Sequence, residues 1–211
     1  MRKPSSRLTR CLTWILNILI ILSVNQYKIS ETLQKSITMS NFDFKVQTSE
    51  ILKDVKTFTP DPWFDYRGEM WTFWEKEKEI LPKGHEWKIS KFTRSHKNVL
   101  RGLHGDDVTW KHITCVWGEI YLVVVDNRPD SETYLKWDSF IISERNHKSV
   151  LVPPKFLNGH LCLTEKSLFH YTQSYPHDYV DWMNQDVMKW NDERVKINWP
   201  IDNPILNWRD K

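Results

Sequence analysis

The fold of this chain is decided by residues 98–125, which read Asn-Val-Leu-Arg-Gly-Leu-His-Gly-Asp-Asp-Val-Thr-Trp-Lys-His-Ile-Thr-Cys-Val-Trp-Gly-Glu-Ile-Tyr-Leu-Val-Val-Val. Their second half is rich in Val, Ile, Tyr and Trp and is interrupted by Gly118, which predicts a buried strand pair joined near Trp117 and Gly118. A further strand is predicted over 149–152, before Pro153 and Pro154. Short strands at turn-punctuated spacing are typical of a β-sandwich or β-barrel. We therefore predict an all-β fold.

Composition supports one ordinary domain with little helix. The chain has 211 residues, 40% of them hydrophobic, and its 12 Trp side chains can each cover a large apolar area. Two short helices are predicted, over 70–80 and 178–187. Cys11, Cys115 and Cys162 are odd in number and have no Cys-x-x-Cys spacing, which argues against a disulfide framework and favours a reducing, cytoplasmic compartment.

The positive charge is concentrated at the N-terminus. Residues 1–38 carry six basic side chains and one acidic one, a local charge of +5, so the remaining residues sum to 3 − 5 = −2. A body with that balance and without a basic stripe is not expected to bind nucleic acid. The basic start followed by the apolar run 11–24 resembles a signal peptide or membrane anchor. We favour the alternative that 1–38 is an extension, that Met39 is the functional start, and that 39–211 is the domain.

A cluster of basic and histidine side chains precedes the predicted strand pair. In a regular strand Arg101 and His104 would point to opposite faces, so both can reach one site only if the chain turns between them. Gly102 and Gly105 would permit such a turn. Taken alone, His104 is compatible with an ordinary hydrogen-bonded histidine. The His-x-His pair typical of metal-binding barrels is absent, so no metal is expected.

Several sequence blocks resemble one enzyme family. The string Val99-Leu-Arg-Gly-Leu-His104 resembles a motif of the dTDP-4-dehydrorhamnose 3,5-epimerases. Further blocks resemble the family in the same order and with similar spacing, from about residue 47 to the C-terminus: Phe64-Asp-Tyr-Arg-Gly68, Gly118-Glu-Ile-Tyr121, Val125-Asp-Asn-Arg-Pro-Asp-Ser131, Val152-Pro-Pro-Lys-Phe156, Phe169-His-Tyr171, Trp190-Asn-Asp192, Ile197-Asn-Trp-Pro200 and Trp208-Arg-Asp210.

The resemblance implies a fold, an activity and a set of partners. The fold would be a cupin barrel, that is, a double-stranded β-helix or jelly roll, with a few short helices. The activity would be that of an isomerase that epimerises C3, C5 or both of a nucleotide-linked 4-keto-6-deoxy sugar through an enolate. Neither a metal nor an organic cofactor is implied. The expected partners are the nucleotide-sugar substrate and a second copy of the chain in a homodimer.

The resemblance also implies four catalytic roles. His104 would be the base that removes the proton, and Asp210 would bind its other ring nitrogen and stabilise the imidazolium. Lys111 would stabilise the enolate oxygen. Tyr171 would return a proton on the opposite face, and a nearby cation such as Lys111 would be needed because a phenol is a weak acid at neutral pH.

Substrate binding is assigned in the same way. Arg67, Arg101 and Arg209 would contact the diphosphate and sugar, since guanidinium groups match phosphate oxygens. Tyr175 would stack on the nucleobase. Lys91 and Asn158 are also expected to contact the substrate, and both depart from the family pattern. The family usually has Asn where this chain has Lys91, and His where it has Asn158. Two further departures are Asp106 in place of Gln and Thr72 in place of Glu. Altered recognition residues suggest a different base, sugar or number of centres, or a weakened activity.

Two other functions stay open from the sequence. One is a cupin that binds a nucleotide sugar without catalysis. The other is a ketoisomerase that moves the keto group between C3 and C4, for which a second histidine near the ketone, such as His160 or His170, would be needed.

Overall fold

Thirteen strands are the main regular elements of the structure, a computed structural model that describes residues 44–74 and 81–211. The strands are β1 (Lys45–Thr48), β2 (Lys56–Thr59), β3 (Trp63–Asp65), β4 (Gly68–Met70), β5 (Ile89–His96), β6 (Leu100–Gly105), β7 (Trp110–Trp117), β8 (Glu119–Asp126), β9 (Trp137–Ser143), β10 (Ser149–Val152), β11 (Phe156–Cys162), β12 (Lys166–Ser174) and β13 (Asp186–Val187). Two 3-10 helices, Trp182–Asn184 and Trp208–Asp210, complete the described elements. The predicted all-β class is confirmed.

The strands form two large antiparallel sheets. One has the order β1-β2-β10-β7-β12-β5 and the other the order β13-β6-β11-β8-β9, while β3 and β4 form a separate hairpin. A buried core joins the inner faces of both sheets, and β8 shows how the sequence builds it. Ile120, Leu122 and Val124 enter this core, whereas the alternate residues Val123 and Val125 enter a second cluster on the outer face.

The second cluster is covered by the chain that follows β12. Met188, Val195 and Trp199 are buried against the outer face of the five-stranded sheet. Indole nitrogens anchor this covering segment, because Trp199 Nε1 donates to the carbonyl of Trp190 (2.7 Å) and Trp137 Nε1 donates to the carbonyl of Val195 (3.1 Å). The C-terminal residues are thereby held beside β6.

The predicted junction at Trp117 and Gly118 is present, but the two strands do not pair with each other. β7 belongs to the six-stranded sheet and β8 to the five-stranded sheet, so the chain crosses between the layers at Gly118. Gly118 has φ +73°, a conformation that side-chain-bearing residues rarely adopt. β8 is hydrophobic on both faces because it is covered on both sides, which explains the imperfect alternation in that part of the sequence, whereas β7 ends in the exposed Val116 and Trp117.

The two predicted helices are not borne out on the described residues. Within 178–187 the chain forms only the 3-10 helix Trp182–Asn184 and then the strand β13. Asp181 caps the short helix. Asp186 and Val187 pair with Gly105 and His104 of β6, so their backbone N–H and C=O groups bond to another strand and not within a helix. Within 70–80, Met70 ends β4 and 71–74 are irregular, while 75–80 lie outside the described residues.

The proposed extension 1–38 and the start at Met39 also lie outside the described residues. In the part of the chain that is described, no helix has both the length and the apolar character needed to span a membrane.

Candidate active site

A cavity of about 460 Å³ opens at one end of the two sheets. Its walls come from β5, β6, β7, β11 and β12, and its rim comes from the two 3-10 helices and the residues beside them. Seven of the ten residues predicted for the site line it: Arg101, His104, Lys111, Asn158, Tyr171, Arg209 and Asp210. The fold therefore gathers side chains that are up to 109 positions apart in the sequence, from 101 to 210.

Gly102 is what brings Arg101 and His104 to the same cavity. It has φ +123°, which breaks the regular alternation of β6. The side chains of Arg101 and His104 both line the cavity, as the sequence predicts for a chain that turns between them. The neighbouring strand passes very close, since a Cβ placed on Gly102 would overlap the Cα of Gly159 in β11. Backbone contacts backbone at this point, so Gly102 has no space for a side chain and Gly159 has very little.

His104 and Asp210 form the central pair of the site. The distance between His104 Nε2 and Asp210 Oδ1 is 2.7 Å, and Asp210 is only 3% exposed. An ionised carboxylate only accepts hydrogen bonds, so Nε2–H is the donor and Nδ1 of the neutral ring is left as the basic nitrogen. Asp210 is held in place because the backbone of Ile205 bonds to β6 and Asn207 caps the final 3-10 helix.

Lys111 is a buried cation at the cavity wall. Its Nζ donates to the backbone carbonyl of His104 (3.2 Å) and to Oδ1 of Asn158 (2.9 Å). Burial lowers the pKa of Lys111 to about 8; the charge of Asp106 opposes this shift and the charge of Arg209 adds to it. The pKa of the ammonium is thus close to neutral pH, and the ammonium is hydrogen-bonded to the strand that carries His104.

Tyr171 lines the cavity from β12. Phe169 and Gln173 line it as well, as expected for alternate residues of a strand. Burial raises the pKa of Tyr171, and the positive charge of Lys91 opposes the rise. Lys91 lies directly across from Tyr171 in β5 and is a cation whose charge acts on the phenol, whereas the sequence points to Lys111 for this role.

The rim of the cavity is aromatic and positively charged. Trp182 and Trp208 meet edge to face with ring centres 6.0 Å apart, and they are 44% and 70% exposed. The guanidinium of Arg209 lies 5.4 Å from the ring centre of Trp182, and Tyr179 completes the aromatic group. Deeper in the wall, Nε of Arg101 donates to Oγ of Ser95 (3.1 Å), which fixes its side chain.

Three predicted site residues do not line the cavity. Lys91 reaches only its edge, where Nζ donates to the Tyr179 hydroxyl (2.8 Å). Tyr175 is 7% exposed and lies beside Lys88, whose Nζ is 4.9 Å from the ring centre. Arg67 projects from the turn between β3 and β4, where its exposed side chain pairs with Asp65. The substrate-binding roles assigned to these three residues remain predictions.

The two histidines that a ketoisomerase would need are in different places. His160 lines the cavity, stacks on Phe169 with ring centres 4.1 Å apart, and has its pKa lowered by burial to about 3. An imidazole with that pKa is neutral near neutral pH. His170 lies outside the cavity lining and shares a hydrogen bond with Ser90 Oγ (2.8 Å).

Some lining residues were not anticipated from the sequence. Phe169 and Gln173 could have been found by counting two residues in each direction from Tyr171 along a strand. Trp208 stands two positions before Asp210, which is a weaker signal. Trp182 and Tyr179 lie in an irregular segment where no periodicity applies, so the sequence offers no sign that they reach the rim.

Within 44–74 and 81–211, no group of three or more His, Cys, Asp or Glu residues could hold a metal ion. His112, which follows Lys111, faces away from the cavity; its ring shares a hydrogen bond with Ser149 Oγ (2.7 Å) and stacks on Phe73.

Comparison with known proteins adds the family context. The family model described as dTDP-4-dehydrorhamnose 3,5-epimerase matches residues 49–211. The dTDP-4-dehydrorhamnose 3,5-epimerase of Escherichia coli (strain K12) is 33% identical over 161 residues, which are 74% of this chain and 85% of that protein.

Solved structures agree with the predicted architecture. The dTDP-4-dehydrorhamnose 3,5-epimerase of Bacillus anthracis, crystallised with TDP and PPi, has a TM-score of 0.73 and 30% identity, covering 80% of this chain and 97% of that one. A 3,5-epimerase from Legionella pneumophila in complex with dTDP-4-keto-L-rhamnose has a TM-score of 0.73 and 25% identity, covering 80% and 90%. The expected cupin-type barrel is confirmed.

Proposed function

Because this chain belongs to the dTDP-4-dehydrorhamnose 3,5-epimerase family, we propose that it inverts C3, C5 or both of a nucleotide-linked 4-keto-6-deoxy sugar. The observation that carries the proposal is the His104–Asp210 pair, whose 2.7 Å hydrogen bond lies in one cavity with Lys111 and Tyr171. A base, a cation and a phenol facing one cavity are the groups that an enolate reaction needs.

The first step is removal of a proton from the carbon beside the ketone. Nδ1 of His104 accepts this proton, and the electron pair of the C–H bond moves into the carbonyl to form an enolate. The imidazolium that results is stabilised by Asp210, which is buried and already bonded to Nε2. Lys111 stabilises the enolate oxygen, because a fixed positive charge in a partly enclosed site interacts strongly with developing negative charge.

The second step is return of a proton to the opposite face of the same carbon. Tyr171 supplies this proton from its hydroxyl, and the enolate collapses back to the ketone with the centre inverted. The phenolate that forms is stabilised by Lys91, whose charge opposes the rise that burial causes in the pKa of Tyr171. Solvent then protonates the tyrosine and removes the proton from His104, which restores the starting state.

The diphosphate is proposed to bind near Arg101 and Arg209. Together with Lys111 they place three positive charges along a cavity whose lining includes one carboxylate, that of Asp210. Guanidinium groups bind phosphate oxygens bidentately, so two of them suit a diphosphate. This local positive charge accommodates an anionic substrate although residues 39–211 have a net charge of −2 by subtraction.

We propose that the nucleobase stacks on Trp208 at the rim of the cavity, in place of Tyr175, which does not line the cavity. Stacking of a base on an aromatic side chain contributes about 1–3 kcal/mol, so replacing Trp208 with alanine is expected to raise KM about tenfold with little change in kcat. Tyr175→Ala is the matched variant for the position predicted from the sequence. Steady-state kinetics decide between them: an increase in KM for Tyr175→Ala alone would show that the base does not lie at the Trp208 rim.

A homodimer is proposed from the exposed apolar surface of the six-stranded sheet. Phe92 of β5 is 62% exposed, and Val116 and Trp117 of β7 are 37% and 64% exposed. Exposed apolar groups of this size on strands of one sheet are typical of interaction surfaces. Sedimentation equilibrium at micromolar concentration tests the proposal, and a monomer under these conditions would contradict it.

The activity itself is tested by hydrogen exchange. The full-length protein is incubated in heavy water with dTDP-4-keto-6-deoxyglucose, and the C3 and C5 protons are followed by NMR. Loss of either signal, with appearance of the inverted product, is expected and shows which centres react. A folded protein that causes no exchange would contradict the proposal for this substrate and favour a binding protein without catalysis.

The same spectra test the ketoisomerase alternative. A 3,4-ketoisomerase would produce a sugar with its keto group at C3, which differs from an epimer in its carbonyl carbon resonance. This alternative is disfavoured because His160, the second histidine of the cavity, is held neutral by burial.

A further inference from the structure

We infer that Asn158 is a positioning residue that directs the ammonium of Lys111 toward the substrate oxygen, an inference that rests on the function proposed above. The sequence assigned Asn158 to substrate binding. In the structure its side-chain carbonyl is instead committed to the protein, because Oδ1 accepts a hydrogen bond from Lys111 Nζ at 2.9 Å. The role proposed here therefore acts through another side chain and not through direct contact with the reacting atoms.

The three hydrogens of the Lys111 ammonium provide the geometric argument. One points to the backbone carbonyl of His104 and a second points to Oδ1 of Asn158. With two N–H groups fixed, the tetrahedral geometry of the nitrogen fixes the direction of the third. Lys111 lines the cavity, so this third N–H is the one available to an enolate oxygen. Without Asn158, the ammonium would be held at one point and could rotate.

The arrangement also joins the base to the oxyanion partner. Asn158 lies directly across from His104 in the pairing of β11 with β6, and Lys111 bonds to the backbone of that same histidine. The separation between the nitrogen that removes the proton and the nitrogen that stabilises the enolate is thus set by short backbone and side-chain contacts. A positional error of about 1 Å in such a pair can reduce a rate by about 10²-fold.

An uncharged acceptor has a further effect on Lys111. A hydrogen bond to the ammonium favours its charged form, which partly offsets the burial that lowers its pKa. The charged or titratable groups that face the cavity from the elements around Lys111 are Arg101 and His104 on β6, Asp106 after it, His160 on β11, Tyr171 on β12, and Arg209 and Asp210 in the last 3-10 helix. Among these, the charges of Asp106 and Arg209 act on Lys111 in opposite directions.

Two substitutions at this position test the inference. In Asn158→Leu the acceptor is lost, the charged form of Lys111 is less stable, and its pKa falls by about one unit. The alkaline limb of the kcat profile should move down by the same amount, and kcat should fall more than KM rises. In Asn158→Asp a negative charge lies beside the ammonium, so the limb should move up by about one unit or more. Asn203→Asp, at an exposed position, is the control for the added charge.

The decisive readout does not depend on activity. The ¹³Cε resonance of Lys111 is titrated by NMR in the full-length protein and in each variant, with the fold checked by circular dichroism. Opposite shifts of this titration in the Leu and Asp variants, together with the kcat effect, support the inference; opposite shifts without any turnover would show that Asn158 acts on Lys111 and that the proposed function fails for the substrate chosen. An unmoved titration, with KM alone increased, would overturn the inference and return Asn158 to substrate binding.

Discussion

Alanine at position 104 is expected to reduce solvent exchange at the reacting carbon by about 10³-fold or more, because the base that accepts the proton is removed. The substitution leaves Lys111 and Tyr171 in the cavity, so substrate binding should change little. The measurement is the rate at which deuterium replaces the C3 and C5 protons of the 4-keto sugar nucleotide, compared with that of the unaltered protein.

His96→Ala is the control for this experiment. His96 is exposed at the end of β5 and does not line the cavity, so its loss should leave exchange unchanged. If the His104 variant is folded and still exchanges at more than a tenth of the original rate, another group is the base and the proposed mechanism is wrong.

Asparagine in place of Asp210 is expected to lower kcat by about 10²- to 10³-fold with little change in KM. The side chain keeps its shape, but a neutral amide does not stabilise the imidazolium and can also bind the wrong tautomer of His104. Since Asp210 is 3% exposed and bonded at 2.7 Å, solvent cannot replace the lost charge easily. Single-turnover kinetics across pH 6 to about 9 would measure the effect without interference from product release.

Lys211→Ala separates this effect from a general disturbance of the last residues. Lys211 is exposed and follows Asp210 directly. Equal losses in both variants would mean that the C-terminal segment matters through its packing, and they would contradict a specific role for the Asp210 carboxylate.

The sequence allowed the class of fold to be predicted but not its topology. Strands such as β10 could be placed by their β-branched residues and the prolines that follow. The placement of β7 and β8 in different sheets could not be predicted, because β8 is covered on both faces and lacks the alternation that would show its orientation. The helix predicted over 178–187 was wrong because Val187 pairs with β6, a contact between residues that are distant in the chain.

The chemical groups of the site were easier to predict than their connections. His104 and Asp210 could be paired in advance only because the sequence resembles a known family; a carboxylate at position 210 would otherwise have been taken for part of a solvated tail. The connection between Asn158 and Lys111 joins β11 of one sheet to β7 of the other, and local sequence does not encode how two sheets face each other. The position of Lys91 opposite Tyr171 could not be predicted either, because it follows from the pairing of β5 with β12.

The contact between the backbones of Gly102 and Gly159 has a practical consequence for engineering. A library that randomises the whole cavity would include inactive members at these positions, since a side chain at Gly102 must displace the main chain of β11 and one at Gly159 would crowd the carbonyl of Arg101. Trp182 and Trp208, in contrast, have free space beside them at the rim. New nucleotide preferences should therefore be sought by varying the rim, while the two glycines are left unchanged so that the reaction centre keeps its spacing.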